Sequence, residues 1–303
     1  MSSLATPAAW TGPLPEANPP AGVCVYHLPT GTYETRAALA VRGGSFGDKR
    51  PFAASAILVR HPKGDLLIDA GFGVGLPRHI AMLPWYMRSP HEAGRTAAEQ
   101  LDAVGYDRGR LLGVVPTHTH WDHTSGLDSL HGTPIWLNAA ERRHAADEPD
   151  SKVFRHVSQD HEIHSYDFGS GPYLGFPASH DVHGDGSVVI VLAAGHTAGS
   201  VIVFVTEPSG ERYAFVGDLT WQLDGIRRRV ERPWLMRKFA DKDPVSVREG
   251  LLRMIALEDL MHIVPAHDLG AYDGIPHLTP GVSGQGPHGA AENSPIPAAP
   301  QAP

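Results

Sequence analysis

The sequence predicts a mixed α/β protein, β-sheet with helical cover on its outer faces. Three observations predict it. Short β-rich runs alternate with a few helical stretches, in the order strands, helix, strand, helices, strands, helix, strand. The run Leu111–Pro116 is apolar throughout, as a strand buried on both faces is. The chain has 303 residues, 42% hydrophobic and 19% charged, an ordinary globular composition that one large α/β domain accommodates.

In chain order, residues 22–28, 35–41, 53–60 and 65–70 read as strands separated by Gly, Pro and Asp turns. Residues 93–103, with small and apolar residues among charges, read as a helix. Strands follow over 111–116, 134–137, 187–193, 200–206 and 213–216. Residues 244–260 form a helix: Pro244 suits its first turn, and Val247, Leu251, Met254 and Ile255 share a face. Residues 262–265 are a last short strand. Residues 1–20 and 279–303 are rich in Pro, Gly, Ala and Ser, so both are expected to be disordered tails around a domain over 21–278.

Charge and cysteine content exclude several classes. Lys+Arg 25 against Asp+Glu 33 leaves a net charge of −8, which argues against a broad nucleic-acid-binding face. No apolar run approaches the roughly 20 residues of a membrane span. The N-terminus lacks the basic and apolar regions of a signal peptide, and the single cysteine, Cys24, excludes a disulfide framework, so a cytoplasmic protein without a membrane partner is expected. Histidine is abundant, with 19 residues, so any metal site must use His and carboxylates.

The chemistry gathers at strand ends. The strand 111–116 runs into Thr117-His118-Thr119-His120-Trp121-Asp122-His123. Alone, this is either a ligand loop or a polar loop in a His-rich chain. Three other β-type runs also end in a metal-ligand residue: His196 in Gly-His-Thr-Ala-Gly-Ser, Asp218 in Gly-Asp, and His267 in Pro-Ala-His-Asp. Strand ends on one sheet edge are where separate segments converge, and rigid elements hold ligands well. Five histidines and two aspartates form a nitrogen and oxygen donor set suited to zinc, and also to iron, manganese or cobalt. Seven ligands exceed what one tetrahedral ion needs, whereas two ions bridged by a carboxylate would use them.

With HxHxDH, GHTxGS, GD and a late lone His in this order, the chain resembles the metallo-β-lactamase superfamily of metallohydrolases over about residues 22–276. The resemblance implies an αββα sandwich of two mixed β-sheets covered by helices. It implies that His118, His120 and His196 hold one metal, that Asp122, His123 and His267 hold the other, and that Asp218 bridges them. Asp69, in Leu-Leu-Ile-Asp-Ala-Gly, is similar to the family's early strand-end aspartate that supports the ligand loop; otherwise it is a turn-forming Asp. The complete motif, with Cys24 far from it, is unlike the β-lactam-hydrolysing members. The chain is most similar to the acyl-homoserine lactonases, with one departure: Trp221 stands three residues past Asp218, where they carry a carbonyl-polarising Tyr. An indole N–H is a different shape and not acidic, so Trp221 is expected to be chiefly an apolar wall.

The implied function is hydrolysis of a small-molecule lactone or ester, with two zinc ions activating a bridging hydroxide at neutral pH. Asp122 would pass a proton to the leaving group. The alternatives are a thioesterase of the hydroxyacylglutathione hydrolase type and a mononuclear iron persulfide dioxygenase. Trp85 and Trp234, with Trp221, are candidate substrate-lining residues; the basic stretch 227–238 is either a cleft lid or a solvated loop. Two motifs are set aside. Gly43-Gly44-Ser45-Phe46-Gly47 follows a strand but lacks the succeeding helix of a nucleophile elbow. Gly71-Phe72-Gly73-Val74-Gly75 lacks the third glycine of a dinucleotide site, and Pro77 interrupts the expected helix.

Overall fold

The computed structural model describes residues 3–279, which build two β-sheets packed face to face with helices outside each. The first sheet is formed by β1 (Cys24–Arg36), β2 (Lys49–Arg60), β3 (Asp65–Ile68), β4 (His91–Ala93), β5 (Leu111–Val115), β6 (Ile135–Asn138) and β7 (Ile163–Tyr166), in the order β4-β1-β2-β3-β5-β6-β7. The second is formed by β8 (Ser179–Asp181), β9 (Val188–Leu192), β10 (Val201–Thr206), β11 (Arg212–Gly217) and β12 (His262–Pro265), in the order β12-β11-β10-β9-β8. Both are mixed: β3, β5, β6 and β7 are mutually parallel, as are β11 and β12, and the remaining neighbours are antiparallel.

Alternation along each strand divides the apolar residues among three cores. In β2, Ala53, Ile57 and Val59 face the other sheet, while Ala54, Ala56 and Leu58 face helices. In β10, Val201, Val203 and Val205 face the first sheet, and Ile202 and Phe204 turn outward. These strands therefore read as continuous apolar runs, because both faces are covered. The first sheet's outer face is capped by Leu76 and Ile80, Ala97 and Leu101, and Val153 and Phe154, from three short helices. The second is capped by Val247, Leu251, Met254 and Ile255 of the helix Pro244–Ala256.

Several boundaries differ from the sequence expectation. The strand expected over 35–41 is the end of a longer β1, followed by the helical turn Ala37–Ala40. The helix expected from residue 93 begins at Ala97. Thr96 accepts a hydrogen bond from the Glu99 N–H, and the Glu99 carboxylate accepts one from the Thr96 N–H; this capping box fixes the start, and His91–Ala93 pairs with β1 instead. Pro77 opens the helix Leu76–Met82 rather than interrupting one. Ser45 follows a helical turn, not a strand, so the elbow context is absent on both sides.

The N-terminal tail is also corrected over its described part. Residues 3–20 run along the second sheet's outer layer, with Leu4, Trp10 and Leu14 packed against that core. Leu4 N–H donates to Arg229 O, Trp10 N–H to Ala256 O, and Asn18 N–H to Asp185 O. Three apolar anchors on an extended strap suffice for docking, although the segment's average composition is that of a tail. The C-terminal expectation falls, beyond Thr279, outside the described residues. Among the described residues no helix is long and apolar enough to cross a membrane.

Candidate metal centre

Five segments reach one edge of the sandwich. β3 and β5 run parallel, β11 and β12 run parallel, and β9 runs with β11 because each is antiparallel to β10. The C-terminal ends of β3, β5, β9, β11 and β12 deliver Asp69, the loop His118–His123, His196, Asp218 and His267 respectively.

Local backbone geometry makes the approach possible. Gly217, at φ +50°, abuts Thr117; a Cβ there would lie 2.7 Å from the Thr117 side chain, so only glycine lets the end of β11 pass the ligand loop. Asp69 occupies the left-handed region at φ +56°, where aspartate is among the better-tolerated residues. Its Oδ1 accepts from the Thr117 N–H at 2.6 Å, and its Oδ2 lies 2.8 Å from His123 Nδ1. Asp69 thus holds the ligand loop at its first residue and its last imidazole.

Two groups of donor atoms result. His118, His120, His196 and Asp218 bring ligand atoms within 4.8 Å of one another, as do Asp122, His123 and His267. In the first, His120 Nδ1 lies 3.0 Å from both His118 Nε2 and His196 Nε2, and His196 Nε2 is 3.2 Å from Asp218 Oδ2. In the second, His267 Nε2 lies 3.5 Å from Asp122 Oδ2. Asp218 Oδ1 belongs to this side, 2.9 Å from His267 Nε2 and 3.3 Å from His123 Nε2. The two oxygens of Asp218 are therefore divided between the groups.

The donor set fits metal ions. His123 Nε2 and Asp218 Oδ1 are buried without a hydrogen-bond partner among the described residues, a costly arrangement unless another group satisfies them. Burial, with the neighbouring imidazoles of His123 and His120, holds His118 well below the usual imidazole range, the neutral form a ligand needs. Burial opposes the charge on Asp218, but the imidazoles of His267, His123 and His196 prevail and hold its carboxyl well below the usual range.

The far side of the imidazoles is oriented as well. His267 Nδ1 lies 2.8 Å from Ala53 O, His196 Nδ1 3.4 Å from Asp241 Oδ1, and His120 Nε2 3.4 Å from Asp150 Oδ2. Such partners set which nitrogen is free to bind metal. Buried Glu141 ties the two ligand loops together: its Oε1 accepts from Thr119 N–H, and its Oε2 accepts from Thr197 O–H and Gly199 N–H. Tyr33 of β1 donates its phenol to Asp122 Oδ2 at 2.6 Å. Burial and the Asp122 and Asp218 carboxylates push that phenol well above its usual range, so it stays a neutral donor.

All eight expected metal-centre residues, the seven ligands and Asp69, thus meet at this edge. Of the three tryptophans, Trp221 does too, but not as a plain wall: its indole N–H donates to Asp218 Oδ2 at 2.7 Å, because the turn after β11 folds the ring back over the carboxylate. Trp85 and Trp234 stand at the surface, 80% and 66% exposed, with Trp85 against Tyr86 and Trp234 under Lys238. Sequence reasoning missed Tyr33, Glu141, Asp150 and Asp241. None stands at a motif spacing, and only the Asn138 cap that starts the helix of Glu141 carries a local signal.

Comparison with known proteins agrees with this fold. The family model described as the metallo-beta-lactamase superfamily matches residues 50–267. A probable metallo-hydrolase of Mycobacterium tuberculosis is 28% identical over 285 residues, 86% of this chain and 85% of that protein. The N-acyl homoserine lactonase AttM of Rhizobium johnstonii is 25% identical over 225 residues, 71% of this chain and 81% of that protein. Among solved structures, an N-acyl homoserine lactone hydrolase with N-hexanoyl-L-homoserine bound at its catalytic metal centre superposes with a TM-score of 0.65 at 17% identity, covering 82% of this chain and 95% of that one.

Proposed function

The chain belongs to the metallo-beta-lactamase superfamily and is a metal-dependent hydrolase, and from that premise we propose that it is a dinuclear zinc enzyme opening a small-molecule lactone or ester. The observation that carries this reading is the division of Asp218, with Oδ2 toward His118, His120 and His196 and Oδ1 toward His123 and His267. One carboxylate shared by two imidazole groups is the donor arrangement that two ions require. The imidazole and carboxylate donors suit zinc.

His118, His120 and His196 would hold one ion, Asp122, His123 and His267 the other, and Asp218 both. When bound, the pair supplies a water made acidic enough to attack at neutral pH and polarises the scissile carbonyl. The protein's own groups do the rest. Tyr33 holds Asp122 Oδ2, which leaves Oδ1 to take up a proton and deliver it to the leaving alkoxide. Asp69 keeps His123 turned with Nε2 inward. The likeness to a lactonase in sequence favours a lactone as the substrate.

The test is a panel of lactones, carboxylic esters, thioesters, phosphodiesters and β-lactams on the purified holoenzyme, with its metal content measured. Turnover of lactones or esters by protein holding two zinc ions per chain is expected. Thioesters turned over at least tenfold faster would make the protein a thioesterase. Activity from protein holding one iron, with oxygen consumed, would make it a dioxygenase.

A further inference from the structure

The basic stretch after β11 contains one arginine unlike its neighbours. Arg232 has a side chain only 3% exposed, and it lies against the bridging segment. Its Nη1 donates to Asp241 Oδ1 at 2.7 Å, its Nη2 donates to the main-chain oxygen of Asp218, and its guanidinium sits 4.5 Å over the Trp221 ring. Trp221 in turn donates to Asp218 Oδ2, and Asp241 Oδ1 faces His196 Nδ1. The contacts close a circuit through Asp218, Trp221, Arg232, Asp241 and His196.

From this circuit we infer that Arg232 is a positioning residue that presets Asp218 and His196 for their ions, acting through Trp221 and Asp241. The inference rests on the dinuclear reading above. The physical argument has three parts. A buried ion pair recovers little net stability after desolvation, so Arg232–Asp241 is a weak choice for stability alone. An indole can only donate, so the Trp221 N–H engages one oxygen of Asp218 and leaves the other for the second site. A carboxylate facing His196 Nδ1 favours the tautomer with the proton there, which frees Nε2 for metal. The helix Trp234–Ala240, the excursion between Arg232 and Asp241, contributes no buried residue; the pair at its base anchors it.

The experiment measures zinc affinity of Trp221→Phe, Arg232→Gln and the double variant by chelator competition, with folding checked by circular dichroism. Trp221→Phe keeps an aromatic ring beneath the guanidinium while removing the N–H with the pyrrole ring, so it stands if Arg232→Gln fails to fold. Each folded single variant is expected to bind zinc about ten- to a hundredfold more weakly. The double variant should be no weaker than Arg232→Gln alone, because Arg232 acts on Asp218 through Trp221, so the loss in Trp221→Phe is contained in the loss in Arg232→Gln. Cobalt-substituted Trp221→Phe should also show a shifted visible spectrum. Affinity within about twofold of wild type in folded Trp221→Phe, or losses that add in the double variant, overturns the inference. Wild type holding one ion overturns the function proposed above but leaves this inference to be judged on that ion; wild type holding none overturns both.

Discussion

His27 is a histidine outside the metal centre whose burial has consequences for the whole chain. It stacks on Tyr272 at 4.1 Å, and its Nε2 lies 2.9 Å from Ser55 Oγ. Burial, reinforced by His277, pushes its pKa down to about 3. An unfolded chain would protonate it near the ordinary imidazole value of about 6.5. Its contribution is therefore complete above pH ~6.5 and is lost as the pH falls toward 3, by roughly 1.4 kcal/mol per unit. His183, pushed down to about 4 chiefly by burial, acts in the same direction. Urea unfolding of metal-free protein between pH 7.5 and 4.5 is expected to show falling stability, with a shallower slope in His27→Gln. An unchanged slope would mean that His27 takes up its proton in the folded state too.

Glu141 matters at the scale of elements, because one buried carboxylate bonds both ligand loops, alongside the Val201 N–H to Thr117 O and Asn138 Nδ2 to Gly199 O bonds. It sits in the first turn of the helix Ala139–Asp147, which Asn138 caps, and it accepts from both ligand loops. Glu141→Gln preserves size but turns an amide N–H toward groups that are themselves donors. A loss of roughly 1–3 kcal/mol is expected for the donors left unsatisfied, together with weaker zinc binding by the first group. Thermal unfolding and metal analysis of the variant check both. The helix Pro244–Ala256 tests a simpler device: Asp243 caps it through the N–H groups of Val245 and Ser246, and Asp243→Ala should lower Tm without altering metal content.

For the whole molecule, bound metal and the N-terminal strap are expected to stabilise different parts. Ligands drawn from both sheets mean that bound metal joins the sandwich across its edge. Chelation is expected to abolish activity and lower Tm, with both restored by zinc; at a free concentration a hundred times Kd, binding to the folded state alone contributes about 2.7 kcal/mol. The strap lies on the second sheet's outer layer, away from the face between the sheets. Removing residues 1–16 should lower Tm by on the order of 5 °C while leaving metal content unchanged. Calorimetry of the truncated and full chains decides this, and an unchanged Tm would show that the strap adds no stability.

The sequence by itself determined the layered α/β architecture and the convergence of His118, His120, Asp122, His123, His196, Asp218 and His267. Both are written locally: a strand buried on two faces must be apolar throughout, and a ligand at a strand's C-terminal end inherits that strand's direction. Its smaller errors are local as well. Thr96 and Glu99 spell a capping box that places the start of the helix at Ala97, although the composition from residue 93 is already helical. Tertiary structure alone decided what surrounds the ligands. Tyr33 reaches Asp122 from 89 positions away and Asp241 reaches His196 from 45, contacts that depend on sheet order rather than spacing. It also decided the role of Trp221. Three residues past Asp218, an indole is sterically free to line a cleft or to turn back on the carboxylate. The guanidinium of Arg232, brought over the ring by the fold of the following segment, holds it to the second.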